Sequence, residues 1–328
     1  MAARKQRVII DTDPGVDDAL AILLALRSPE LEVVAITTVC GNVPVEQATQ
    51  NLFRVLGLLK PPAGLLIGQG AAKPLRQPLQ TATQVHGADG LGELDSFRNQ
   101  DGSPRYPRPK PPRTLPTAQE VWGECLRRYP GELTLITLGP LTNLAIALET
   151  DPAPLRQLRS VISMGGAISV TGNVTPAAEF NIYVDPHAAQ RVFQSGLPIT
   201  LVPLDVTTKV ALNRNEIQTL ATGGSGPVPR FVADATGQVL SYTERVEGAP
   251  LFHLHDPLAV AVAIDPSLVQ TVPFHVEVET EDQASMGKTR ADRGSLGRAQ
   301  KASSNIQAAL KVDAARALKL FTERLSRK

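Results

Sequence analysis

The sequence predicts a single α/β domain: one doubly wound, mostly parallel sheet flanked by helices, with an active site at the carboxyl ends of the strands. Three observations predict it. Short β-branched runs alternate with helix-patterned runs through the opening of the chain, the βαβαβ rhythm of a parallel sheet. The first of these runs, Val8-Ile9-Ile10, is apolar on both faces, as a strand covered from both sides requires. The 328 residues, 42% hydrophobic, can bury a large core and show neither an internal repeat nor a linker between two cores.

Each element follows from its residues. Residues 8–10 form a strand and 16–26 a helix, with Pro14 and Gly15 turning between them. Residues 31–40 form a second strand ending at Gly41-Asn42, 45–59 a helix by apolar spacing, and 64–68 a short third strand. From 73 to 116 the periodicity dissolves, first into the glycine-rich Val85-His86-Gly87-Ala88-Asp89-Gly90-Leu91-Gly92, then into a Pro-, Arg- and Lys-rich run at 104–116. A segment of this kind within one domain reads as a lid or surface insertion. Its PxxP spacings would also suit an SH3-type ligand, but a surface insertion explains them more simply.

Alternation resumes with a helix at 118–128, a strand at 133–138, the turn Gly139-Pro140-Leu141-Thr142-Asn143 and a helix at 144–148. A strand at 161–164 precedes an irregular loop at 165–179. Asp185-Pro186 has N-cap and N1 chemistry for a helix to 194, and 199–204 is the next strand. Residues 215–247 are helical apart from a glycine-rich break at 223–227. His255-Asp256-Pro257 caps an apolar helix at 258–264, 272–278 alternates as a strand, and 305–325 forms an amphipathic closing helix.

Composition excludes several classes. Lys and Arg number 33 against 32 for Asp and Glu, so the basic surplus of an electrostatic nucleic-acid binder is missing. Two cysteines, Cys40 and Cys125, make no disulfide scaffold, and the cytoplasm is the expected compartment. Asp11 ends the first apolar run too soon for a signal peptide, and runs such as 20–26 are far too short to span a bilayer. No membrane partner is expected.

The stretch Asp11-Thr12-Asp13-Pro14-Gly15-Val16-Asp17-Asp18 carries four carboxylates in eight residues. They fall at a strand's carboxyl end and a helix's first turn, where open α/β sheets bind ligands. Acids this close repel one another, and a hard divalent cation with oxygen ligands relieves the repulsion. With no His or Cys beside them, Ca²⁺ or Mg²⁺ is favoured over zinc. Complementing a helix N-terminus would explain Asp17 and Asp18 but not four acids.

Asp11-Thr12-Asp13-Pro14-Gly15-Val16-Asp17-Asp18-Ala19 resembles the N-terminal signature of the inosine-uridine type nucleoside hydrolases. The likeness continues in order through Ile36-Thr37-Thr38-Val39-Cys40-Gly41-Asn42, Leu138-Gly139-Pro140-Leu141-Thr142-Asn143, Met164-Gly165-Gly166, Gly172-Asn173, Ala178-Glu179-Phe180-Asn181, Asp185-Pro186 and His255-Asp256-Pro257. The resemblance implies a homo-oligomeric (dimeric or tetrameric), Ca²⁺-dependent enzyme. Its substrate would be a small purine or pyrimidine ribonucleoside, hydrolysed at the N-glycosidic bond to free base and ribose. It further implies Asp13, Asp18, Asp256 and the Leu138 carbonyl as metal ligands. Asp13 and Asp17 would flank the attacking water, with Asp13 the general base. Asn42, Asn173, Glu179 and Asn181 would hold ribose hydroxyls, Met164 would line the sugar pocket, and His255 would assist base departure.

From the residues themselves, His86 in the glycine-rich segment is a candidate to close over the substrate, and Tyr242 one to stack on the base. Plainer readings stand beside these. Asn42 and Asn173 follow glycines as turn formers do, Asp185 and Asp256 precede prolines as N-caps do, and Met164 suits a core. His86 suits an ordinary loop, and His253 a structural or surface role. A haloacid-dehalogenase-like Mg²⁺ phosphatase would use Asp11 and Asp13 but leaves Asn173, Glu179, Asn181 and His255 without a task. A silent nucleoside- or sugar-binding protein on the same scaffold would have no need of Asp13, Asp17 and His255.

Overall fold

The β-branched run near the N-terminus becomes strand β1 (Gln6–Thr12) of the computed structural model, which describes residues 5–292 and 306–327. Along the chain follow α1 (Val16–Leu26), β2 (Leu31–Thr38), α2 (Val45–Leu56), β3 (Leu66–Gln69), α3 (Thr83–His86) and α4 (Ala118–Arg128). Next come β4 (Leu133–Thr137), α5 (Thr142–Thr150), α6 (Pro152–Leu155), β5 (Ser160–Met164), α7 (Phe180–Val184), α8 (Pro186–Phe193), β6 (Ile199–Val202) and α9 (Leu204–Thr207). The remainder is β7 (Ala211–Asn213), α10 (Arg214–Gly223), α11 (Pro227–Glu247), β8 (Leu251–His253), α12 (His255–Ile264), β9 (Val269–Val278), β10 (Thr289–Asp292), β11 (Ile306–Val312) and α13 (Ala314–Ser326).

The large sheet has nine strands in the order β10-β9-β11-β6-β5-β4-β1-β2-β3. Every pairing from β3 to β11 is parallel, and β9 runs antiparallel to both of its neighbours. From β1 the chain steps outward to β2 and β3, then returns to β4 on the other flank and continues the opposite way. The direction therefore reverses between β1 and β4, and the crevice at such a switch point is where open sheets bind ligands. Alternate residues of β1 serve the two faces. Val8 and Ile10 pack with α1, α11 and α12, while Ile9 packs with Trp122 of α4 and the apolar sides of α5 and α8. Each fully buried Ile or Leu contributes about 1.5–3 kcal/mol, so a strand buried on both sides is anchored twice.

Three sequence expectations are corrected. Residues 305–325 are not one helix, because 306–312 form β11 between β6 and β9 and α13 begins only at Ala314. The alanines there favour helix by under about 1 kcal/mol per residue, which ladder pairing on both sides outweighs. Asn305 lies outside the described residues. The strand expected at 199–204 stops at Val202, since Pro203 has no N–H for the ladder and Leu204 opens α9. His255-Asp256-Pro257 does not cap α12 but forms its first turn, with Leu254 at the N-cap.

Segment 73–116 contains α3 and a 3₁₀ turn at Leu94–Ser96, and it is tied down by side chains. Asp89 accepts the backbone N–H groups of Leu91, Glu93 and Asp95 and pairs with the buried Arg54. Arg105 and the Tyr106 hydroxyl both donate to Asp234 of α11 at 2.8 Å. Among the described residues no helix is long and apolar enough to cross a membrane.

Candidate active site

Past β1 the chain turns sharply through Pro14 and Gly15, and the acids gather around that turn. Asp18 accepts the N–H groups of Gly15 (3.0 Å) and Asp13 (3.2 Å), the Thr12 hydroxyl and the Asn42 side-chain amide (3.0 Å). Four donors on two oxygens fix its orientation. Asp13 Oδ2 accepts the Asn42 backbone N–H at 2.6 Å, while Asp13 Oδ1 is buried with no partner. Two turns close on this carboxylate. A Cβ at Gly41 would lie 1.9 Å from Asp13 Oδ2, and one at Gly139 would lie 2.3 Å from Oδ1, so glycine is required at both.

Asp17 Oδ1 is likewise buried without a partner. From the first turn of α12, Asp256 joins Asp17 and Asp18, the three offering carboxylate oxygens within 4.8 Å of one another. Burial first and mutual repulsion second push Asp13 and Asp256 well above the carboxylate range and Asp17 to about 8. The closeness of Asp17, Asp18 and Asp13 adds to the upward push on Asp256. An oxygen-only donor set with unpaired buried oxygens fits a hard cation in place of protons, and these residues can hold a metal ion.

Asp11 is not part of this group. Its Oδ1 accepts the Thr37 hydroxyl (2.6 Å) and the Asn143 side-chain amide (2.8 Å), and burial raises it to about 7. The acid quartet of the sequence is therefore replaced by Asp13, Asp17, Asp18 and Asp256, drawn from two distant segments.

The other predicted residues divide. The Asn181 side-chain amide donates to the Leu138 carbonyl at 2.6 Å, to the Met164 carbonyl at 3.3 Å and to Met164 Sδ at 3.4 Å. The strand ends of β4 and β5 thus meet at one side chain. Glu179 caps α7, accepting Asn181 N–H, Ile182 N–H and Gly166 N–H, while burial raises its pKa against those bonds. Asn42 is bound to Asp13 and Asp18 as described. Asn173 is exposed and its Oδ1 accepts the Phe180 N–H at 2.9 Å, so it shapes the loop before α7, and no described contact brings it to the acids. Asp185 is the N-cap of α8, as its plain reading has it.

Two histidines border the cluster without entering its donor set. His86 Nδ1 accepts the Val16 N–H at 3.2 Å, which places the ring hydrogen on Nε2. Burial pushes His86 down to about 4, against the pull of Asp18. His255 Nδ1 lies 2.8 Å from Thr207 Oγ1, and its ring centroid is 5.6 Å from that of His253, which pairs with Glu247 at 2.9 Å. Burial, then the proximity of His253 and His86, push His255 down to about 3. Both rings are neutral at pH 7. Tyr242, half-buried on α11, has Arg245 over its ring at 5.8 Å, and no described contact links it to the acids or histidines.

Sequence reasoning missed Thr207 and Asn51. The Asn51 amide bridges the Pro14 carbonyl and the Asp89 carbonyl at 3.0 Å each, tying the acid turn to segment 73–116. Neither residue lies in a motif, and only the fold brings them to the site.

Comparison with known proteins places this geometry. Residues 8–319 match the family described as inosine-uridine preferring nucleoside hydrolase. The pyrimidine-specific ribonucleoside hydrolase RihA of Salmonella agona is 40% identical over 289 residues, covering 87% of this chain and 88% of the relative. Among solved structures, the plant nucleoside hydrolase PpNRh1 superposes with a TM-score of 0.88 at 34% identity, over 98% of this chain and 99% of its own. A purine-preferring ribonucleoside hydrolase from Gardnerella vaginalis gives a TM-score of 0.87 at 33% identity, over 98% of both chains. With the acid cluster at the sheet's switch point, and with sequence and fold matching over nearly their whole lengths, the chain belongs to the inosine-uridine preferring nucleoside hydrolase family, whose members cleave the N-glycosidic bond of ribonucleosides.

Proposed function

We propose that this protein hydrolyses ribonucleosides, pyrimidine ribonucleosides foremost, to free base and ribose, with Ca²⁺ held by Asp13, Asp18, Asp256 and the Leu138 carbonyl. The observation that carries the reading is the pair of buried carboxylate oxygens, Asp13 Oδ1 and Asp17 Oδ1, left without partners inside an acid cluster. The oxygen-only donor set supports Ca²⁺, and the identity to pyrimidine-specific RihA supports the base preference. Bound there, the cation would offset the repulsion among the acids and orient water and the ribose hydroxyls.

The chain's own groups do the rest. The Asn42 N–H on Oδ2 stops the Asp13 carboxylate from rotating, leaving Oδ1 to take the proton of the attacking water. Asp17 lies beside the sugar as positive charge grows on it in an oxocarbenium-like state, a preorganised electrostatic contribution. Asn42, Asn173, Glu179 and Asn181 bind ribose hydroxyls; Glu179, with its oxygens already accepting N–H groups, does so through remaining lone pairs. Met164 packs against the sugar. His255 donates the Nε2 proton to the departing base, general acid catalysis worth roughly 10²–10⁴-fold, and His86 borders the same space.

A panel of purine and pyrimidine ribonucleosides, with free base and reducing sugar quantified, tests the reading. Uridine and cytidine should give equimolar base and ribose, with purine ribonucleosides slower. A protein that releases phosphate from a phosphate ester and no base from any ribonucleoside would overturn it.

A further inference from the structure

Thr207, the last residue of the short helix α9, is fully buried, and its hydroxyl has one hydrogen-bond partner among the described residues, His255 Nδ1 at 2.8 Å. That geometry decides the direction of the bond. If the ring donated an Nδ1 hydrogen, the Thr207 hydroxyl hydrogen would be buried with no acceptor, a loss of about 1–3 kcal/mol. If Thr207 donates instead, both groups are satisfied and the ring hydrogen must sit on Nε2. His255 Nε2 is absent from the buried, partnerless atoms, so the nitrogen bearing the hydrogen is not sealed in the core.

We infer that Thr207 is a positioning residue for base departure: its hydroxyl holds His255 in the single tautomer that carries a transferable proton on Nε2. The inference rests on the proposed ribonucleoside hydrolysis, in which that proton passes to the departing base. His86 is held in the same tautomer by a different donor, the Val16 N–H. Thr207 never touches the substrate; it acts by removing a second ring state and a second ring orientation.

The test compares Thr207→Val, which keeps the branched shape and removes the hydroxyl, with Thr207→Ser, which restores the hydroxyl. Nitrogen NMR of the imidazole rings, with the His255 signals identified by their loss in His255→Ala, should show Nδ1 unprotonated in the wild type and a mixture of tautomers in Thr207→Val. On uridine, kcat of Thr207→Val should fall about 10–100-fold, a partial loss of the roughly 10²–10⁴-fold that general acid catalysis supplies, with little change in KM. On p-nitrophenyl riboside, whose phenolate leaves without a proton, the loss should be several-fold smaller. Thr207→Ser should recover most of the uridine rate. A protonated Nδ1 in the wild type, or equal losses on the two substrates, would overturn the role. Should the wild type cleave no ribonucleoside, the functional reading falls, and the nitrogen signals still decide whether Thr207 sets the tautomer.

Discussion

Asp13 is held from three sides: Asn42 donates to one oxygen, and Gly41 and Gly139 leave room for both. Two substitutions separate its chemistry from its packing. Asp13→Asn keeps the shape and removes the proposed base and an acid from a repelling cluster. It should lower kcat on uridine by at least about 10²-fold, while the melting temperature of the metal-free protein stays level or rises. A variant that keeps most of its kcat would shift the base to Asp17. Gly139→Ala instead drives a methyl into Asp13 Oδ1. It should destabilise by about 1–3 kcal/mol, as overpacking does, and displace the carboxylate as well. Denaturant melts and turnover together distinguish the two.

The acids also set a pH dependence. Asp17 at about 8 and Asp11 at about 7 both lie above the ordinary 3.8, so the folded state binds more protons than the unfolded one between these values. Their stabilisation is complete below about pH 4 and is lost as pH rises through 7 to 8. In chelator, the melting temperature should fall from pH 5 to pH 8. Added Ca²⁺ should raise it more at pH 8 than at pH 5, because the cation replaces protons. A flat or rising melting temperature in chelator would contradict the burial of these acids as free carboxyls. At this scale the sequence was most legible where a motif supplied the residue. The resemblance pointed to Asp13, Asp17, Asp18 and Asp256, which lie near one another, whereas adjacency in sequence does not reveal that the Asp11 carboxylate turns to Thr37 and Asn143.

Among elements, β1, α1 and the strands to β6 were readable because periodicity and turn chemistry agree there. β11 was not. Its sequence, Ile306-Gln307-Ala308-Ala309-Leu310-Lys311-Val312, has ordinary helical content, and only the gap between β6 and β9 makes it a strand. Segment 73–116 was equally opaque, because its order comes from long-range side-chain bonds rather than local pattern. Asp89 is its hub, satisfying three backbone N–H groups and the buried Arg54 guanidinium. Asp89→Ala should destabilise the protein by about 1–3 kcal/mol, since it leaves three backbone N–H groups without their acceptor, while Arg54 keeps Asp95 and the Tyr106 carbonyl. Amide exchange should quicken around residues 86–95 well before it does in β1 or β4. Uniform exchange across the chain would show that this segment is not a separately anchored unit.

For the whole molecule, the reversal of strand order between β1 and β4 puts the acid turn, the Gly139 turn and the Asn181 contact at one crevice. Segments as distant as residues 13 and 256 meet there because α12 packs against α1. That convergence could be placed from the sequence only through its resemblance to a family, since neither spacing nor periodicity relates Asp256 to the N-terminal acids. We propose that this crevice holds Ca²⁺ for ribonucleoside cleavage. The proposal is tested most directly by following uracil release from uridine with protein stripped by chelator, then recharged with Ca²⁺. Release should be negligible after stripping and recover fully on adding Ca²⁺, with one Ca²⁺ retained per chain by elemental analysis. Stripped protein that releases uracil at the untreated rate would contradict it.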